Sequence, residues 1–109
     1  MNNIFIVEII ESRKFLKEEV VSFNSSFQNA NLFLEGFIER LRELYNFIPN
    51  ESLTIQKADQ YPLSRNYLSV IALVSRESRI QIGFDSESIK ASSVVIAIKQ
   101  VSLDSTLEQ

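Results

Sequence analysis

The side chains of this chain that could do acid–base or metal chemistry are mainly carboxylates, because its 109 residues include neither His nor Cys. Glu35, Glu39 and Glu43 recur every four residues, which places them on one stripe of a helix. A carboxylate-bundle metal centre needs inward-facing Glu together with a Glu-x-x-His motif. Here Arg40 and Arg42 alternate with the acids instead. The spacing therefore favours a solvated helical face.

A second group of acids, formed by Asp59, Asp85 and Glu87, has the oxygen ligands that Mg²⁺ prefers. No Lys in the chain has an acid two residues before it, so the acid-x-Lys pattern of nuclease cores is absent. Asp85 is followed by Ser86, and this pair is typical of a turn or a helix cap.

The missing residue types also remove Ser-His-Asp and Cys-His catalysis. The two glycines, Gly36 and Gly83, are isolated and form no phosphate-binding loop. The sequence therefore predicts a protein that is not an enzyme and that holds neither a metal nor a cofactor.

Basic and aromatic residues in the second half of the chain are candidates for contact with single-stranded nucleic acid, which small domains bind by stacking and by charge. The candidates are Lys57, Arg65, Tyr67, Arg76 and Arg79. The formal net charge of the whole chain is −3, which disfavours a polyanionic partner. Weak binding of single strands is therefore kept as one alternative function.

The elements that must position these side chains begin with a long apolar stripe between Leu16 and Ile48. Its members follow one another at steps of four and three residues, the spacing of one helical face. They are Leu16, Val20, Phe23, Phe27, Ala30, Leu34, Phe37, Leu41, Leu44 and Ile48. Polar residues around Phe27 interrupt the stripe, so the pattern predicts a hairpin of two helices, over residues 4–23 and 29–47. The β-branched residues of 4–10 leave a strand open as the alternative there.

Strands are predicted after Pro49, over residues 53–57, 67–74, 79–84 and 93–101. Short connections indicate an antiparallel meander. The predicted fold is α+β and two-layered: an N-terminal helical hairpin packed on a four-stranded sheet. We predict that residues 1–101 form one domain and that residues 102–109 form a flexible tail.

The apolar surface of this predicted fold exceeds what two layers cover, since the strand at 67–74 is apolar almost throughout. Gly36, inside the second helix, suggests close approach of another element. We therefore expect a small, cytoplasmic interaction or regulatory protein that binds a protein partner or itself, as a homodimer or higher oligomer. The expected interface residues are Leu34, Phe37, Ile38, Leu41, Tyr45, Ile71, Leu73 and Val95.

A second alternative function is the binding of a small apolar ligand in a cavity between the layers. Its lining would come from Phe15, Phe23, Phe27, Phe33, Phe37 and Phe47. A membrane is not an expected partner, because no apolar run approaches the ~18 residues of a membrane-spanning helix.

Overall fold

A computed structural model describes residues 3–12, 16–76 and 93–102 of the chain. These form five strands, two α-helices and one short 3₁₀ turn. In chain order they are β1 (Asn3–Ser12), β2 (Val20–Asn24), α1 (Phe27–Tyr45), β3 (Phe47–Pro49), α2 (Glu51–Gln60), the 3₁₀ turn Leu63–Arg65, β4 (Tyr67–Ser75) and β5 (Ser93–Ser102). The strands make one antiparallel sheet in the order β2-β1-β5-β4-β3. The predicted α+β class is confirmed, but the helical hairpin and the four-stranded meander are wrong in detail.

The N-terminal segment forms two strands, so the helix predicted over residues 4–23 is wrong and the β-branched alternative holds. β1 pairs with β2, where Ile6 faces Phe23, and along its other side with β5, from Asn3 opposite Ser102 to Ser12 opposite Val94. The β-branched run favours this conformation, because branched side chains pack well on a pleated surface. The helical spacing of the apolar residues Leu16, Val20 and Phe23 in this segment is a coincidence.

α1 confirms the second predicted helix, with slightly earlier bounds. The Ser26 side chain caps its start by accepting a hydrogen bond from the Asn29 backbone N–H at 3.1 Å. Its end is Asn46, in the left-handed region at φ 63°, whose N–H donates to the Arg42 carbonyl. The buried stripe of the helix consists of Ala30, Leu34 and Leu41.

α2 replaces the strand predicted over residues 53–57, which is the second correction. Asn50 starts the helix, since its Oδ1 accepts from the Leu53 N–H at 2.8 Å. The alternating pattern of this segment fits a strand, but Leu53 and Lys57 are also four residues apart, and both are buried in the helix. A five-residue pattern is too short to distinguish the two-residue period of a strand from the 3.6-residue period of a helix.

The two helices lie on opposite faces of the sheet. Leu73 packs with Leu34 and Leu41 in the core under α1, whereas its neighbours Ala72 and Val74 pack with Leu53 of α2. β4 and β5 confirm the strands predicted at 67–74 and 93–101, with β5 extending to Ser102. The apolar residues on both faces of β4 are thus covered within the chain.

Several predictions fall outside the described residues: the strand at 79–84, the turn at 85–88 and the tail from residue 103 onward. Within the described part of the chain, neither helix is long and apolar enough to cross a membrane.

Leu53 and Ile55 distinguish the observed helix from a strand, because a strand would point both side chains to one face. Leu53 is 6% exposed and Ile55 is 59% exposed. We expect Leu53→Ala to lower the free energy of unfolding by about 2–3 kcal/mol and Ile55→Ala to change it by less than about 0.5 kcal/mol. Urea denaturation of both variants measures this, and similar losses for the two would contradict the helix.

Candidate functional site

Seven of the eight predicted interface residues belong to the core of the chain itself. Leu34, Leu41, Leu73 and Val95 are buried, and Phe37, Ile38 and Ile71 are partly buried against the core under α1. Tyr45 is the exposed member. These residues therefore do not form one free surface, and self-association, which stays a prediction, needs other contacts.

The predicted nucleic-acid residues are also dispersed. Lys57 is buried, whereas Arg65 is exposed in the 3₁₀ turn just before β4. Tyr67 begins β4 and Arg76 follows its last residue, so the nine residues of this strand place the two about 30 Å apart. Arg79 lies outside the described residues. The described members of the set do not form one basic patch.

A compact polar cluster, here called the Glu11 cluster, lies where α2 meets β1. Glu11 Oε1 accepts from Lys57 Nζ at 2.7 Å, and Glu11 Oε2 accepts from the Tyr61 hydroxyl at 2.6 Å. The Tyr61 ring meets the Tyr67 ring edge to face at 5.2 Å, and Lys99 Nζ lies 5.4 Å from the centre of the Tyr67 ring. These five residues come from β1, α2, β4 and β5 and from the residue after α2.

A β-bulge brings Glu11 into this cluster. The register of β1 against β5 shifts between Ile9 and Glu11. Strict alternation would send Glu11 to the same face as Ile9, into the core under α1. The bulge instead turns Glu11 toward α2, where Ile10 and Val95 also pack. Sequence alternation alone could not predict this position.

The chemistry of the Glu11 cluster is that of a closed network. Both carboxylate oxygens accept hydrogen bonds, and Lys57 is only 8% exposed. Burial, and then the hydrogen bond and charge of Glu11, raise the pKa of Tyr61 above its ordinary value, which keeps the phenol protonated as a donor. The cluster therefore fastens α2 to the sheet, and its groups are already occupied by one another.

The carboxylates that the sequence suggested for metal binding are not gathered. Glu35, Glu39 and Glu43 are exposed along α1, in agreement with a solvated face, and Asp59 is exposed on α2. Asp85 and Glu87 lie outside the described residues. Among the residues that the structure describes, no three His, Cys, Asp or Glu side chains come together as a metal-ligand group.

An open groove on the outer side of α1 is the most distinctive described surface. It encloses about 230 Å³ and is lined by Leu32, Phe33, Gly36, Phe37 and Arg40; these five residues are called the α1 groove. The rings of Phe33 and Phe37 stack at 5.9 Å with an angle of 16° between their planes. Leu32 is 59% exposed, and Leu44, further along the helix, is 63% exposed.

Gly36 forms the floor of the α1 groove. A Cβ atom added to it would meet nothing within 4 Å, so no described residue makes the close approach that the sequence suggested. Glycine inside a helix is less stable than alanine by about 0.5–1 kcal/mol. The groove thus contains a residue that is unfavourable in a helix, and the described part of the chain gives no packing reason for it.

The phenylalanines that the structure describes do not line a common cavity. Phe47 is buried in the core under α1, Phe23 is exposed on β2, and Phe27 meets Phe5 edge to face. Phe33 and Phe37 line the open groove instead, and Phe15 lies outside the described residues. These positions give no support to a ligand cavity between the layers.

Removal of the Glu11 carboxylate tests the Glu11 cluster. We expect Glu11→Gln to lower the free energy of unfolding by about 2–3 kcal/mol, because the nearly buried Lys57 ammonium loses its charge partner. The matched control is Glu39→Gln, whose ion pair with Arg42 is long, at 3.9 Å, and exposed; its loss changes stability by less than about 0.5 kcal/mol. Equal effects in chemical denaturation would show that the cluster does not stabilise the fold.

Substitution of Gly36 tests the open floor of the groove. We expect Gly36→Ala to raise the free energy of unfolding by about 0.5–1 kcal/mol, because the added methyl group clashes with nothing and the helix gains propensity. Denaturation at low protein concentration measures the effect on the single chain. A loss of stability there would mean that a neighbouring group already occupies the groove.

The chain was also compared with known proteins. Models of protein families, curated protein sequences and solved structures each gave no match. The surfaces of the chain itself, and above all the α1 groove, are therefore the guide to its function.

Proposed function

We propose that this chain is a non-enzymatic interaction protein that associates with a second copy of itself through the α1 groove. The observation that carries the proposal is the exposed apolar flank of α1 around Gly36. Such a flank is costly to leave in water, because full burial of one leucine side chain gains about 1.5–3 kcal/mol.

The flank is distinct from the face of α1 that packs on the sheet. At about 100° per residue, Phe33, Phe37 and Leu44 fall on one side of the buried stripe of the helix. Glu35 and Arg42 fall on the other side. The helix is therefore apolar over its core face, apolar except for Arg40 over one adjoining flank, and charged over the opposite flank, which is the pattern of a helix with two packing partners.

A second copy suits the groove because the surface contains both a hollow and a ridge. Gly36 is the hollow, and the stacked rings of Phe33 and Phe37 form the ridge beside it. Two copies related by a two-fold axis present the same patch to each other, so a patch with both shapes can be self-complementary.

The described sheet edges offer a weaker route to association. The outer strand β3 has three residues and ends at Pro49, which lacks a backbone N–H. The outer strand β2 has five residues and a register shift opposite Val7 and Glu8. Short, irregular edges disfavour pairing between sheets, which supports the helical flank as the contact.

The two alternative functions receive less support from the described residues. The groove is open and, at about 230 Å³, smaller than the ~300–1,000 Å³ typical of small-molecule sites. The basic residues proposed for nucleic acid lie at opposite ends of β4 or are buried. Neither arrangement gives such a ligand a shaped site.

Charge placed in the groove tests the proposal. We expect wild-type protein to shift from one chain to two as its concentration rises, and Leu32→Lys to weaken this association about tenfold or more, because an ammonium group would enter an apolar contact. Ile55→Lys is the matched control, since Ile55 on α2 is as exposed as Leu32, at 59% each. Sedimentation velocity over a concentration series measures all three.

Circular dichroism of the three proteins checks that the substitutions leave the fold intact. A wild-type chain that stays single at the highest concentration, or a control that weakens association as much as Leu32→Lys, would contradict the proposed function.

A further inference from the structure

We infer that the two copies meet as antiparallel α1 helices that cross at Gly36. This inference rests on the proposed self-association and adds its geometry. In a two-fold antiparallel crossing, each residue faces the partner residue that lies equally far from Gly36 in the opposite direction. The distribution of charge and shape along α1 favours this arrangement over a parallel one.

The charges of α1 begin only at its ninth residue, Glu35, and four of the five lie after Gly36. The segment from Phe27 to Leu34 carries none, and the charged residues are Glu35, Glu39, Arg40, Arg42 and Glu43. An antiparallel crossing places each charged half against the partner's uncharged half. A parallel crossing would bring the carboxylates of Glu39 and Glu43 near their own copies, and like charges at such distances repel.

The electrostatics at the start of α1 also favour the antiparallel arrangement. The first turn of α1 has no acidic residue to complement the positive end of the helix dipole. Glu43 lies seven residues after Gly36, and Asn29 lies seven residues before it. In the antiparallel crossing, Glu43 of one copy therefore approaches the start of α1 near the partner's Asn29.

The shape of the groove supplies the crossing point. Asn29, Gly36 and Glu43 are spaced by seven residues and so follow one line along the helix surface. Gly36 at the centre of that line lets the two backbones approach, since nothing fills its Cβ position. Arg40, the charged residue of the groove, then faces the partner's Leu32 and Phe33, where its guanidinium can lie over the aromatic ring.

Cysteine cross-linking tests the direction of the helices, because the chain has no native Cys. Asn29→Cys and Glu43→Cys change exposed side chains outside the groove lining. The two variants are mixed at low concentration, concentrated and oxidised, and the disulfide-linked dimers are separated by mass. We expect the mixed disulfide between residues 29 and 43 to exceed clearly the one half of all dimers that random pairing would produce.

Glu35→Cys is the matched control, since residue 35 is exposed on the opposite flank of α1. Mixed with Glu43→Cys, it should give no such excess. A dominance of 29–29 and 43–43 disulfides, or random pairing, would overturn the antiparallel crossing while leaving the proposed association intact. If no disulfide-linked dimer forms and the mass of the protein does not rise with its concentration, both the proposed function and this inference are wrong.

Discussion

Burial of β4 and β5 on both faces is the constraint on which the rest of this structure depends. Leu73, Val94, Ile96 and Ile98 face α1, whereas Ala72, Val74 and Val95 face α2. Strands with apolar residues on both faces need a covering layer on each side. α1 and α2 supply these layers, and β1 extends the sheet beside β5. The apolar residues on the two faces of β4 are therefore covered by the helices of the same chain.

Different kinds of interaction hold the two covering helices on the sheet. α1 contributes three buried apolar residues, whereas Leu53 is the one buried apolar residue of α2. Polar contacts complete the attachment of α2: Thr54 Oγ1 accepts from the Ala72 N–H at 2.9 Å, and Lys57 pairs with Glu11. Directional bonds of this kind set the position of the helix more sharply than apolar contact does, because they operate only at defined distances and angles.

One flank of α1 remains uncovered after these layers form. The core face of α1 is used by the sheet, and its charged flank suits water. The flank around Gly36 is apolar apart from Arg40, it is exposed, and it is centred on a residue that weakens the helix with no packing reason among the described residues. An association surface explains all three properties together, which is why the groove, and not the Glu11 cluster with its occupied groups, supports the proposed function.

The amino-acid sequence by itself determined the strong local elements of this protein. Most of the 19-residue helix α1 and the long apolar runs of β4 and β5 could be predicted, because their length and periodicity exceed the ambiguity of short patterns. The excess of apolar residues on α1 was also evident before the fold was known. The residues expected at the interface, however, were mostly those of the core, since sequence shows which residues are apolar and not which of them become covered.

Only the tertiary structure decided the N-terminal strands, α2, the Glu11 cluster and the groove. The apolar residues of 4–10 fit the period of a strand and that of a helix. Pairing with β5, some ninety residues later in the chain, made this segment a strand. Leu53 and Lys57 fit both periods as well, until the second face of β4 required a helix there. Glu11 reached Lys57, 46 residues away, through a bulge that breaks the alternation of β1. Each of these features depends on long-range contacts, which local propensity does not encode.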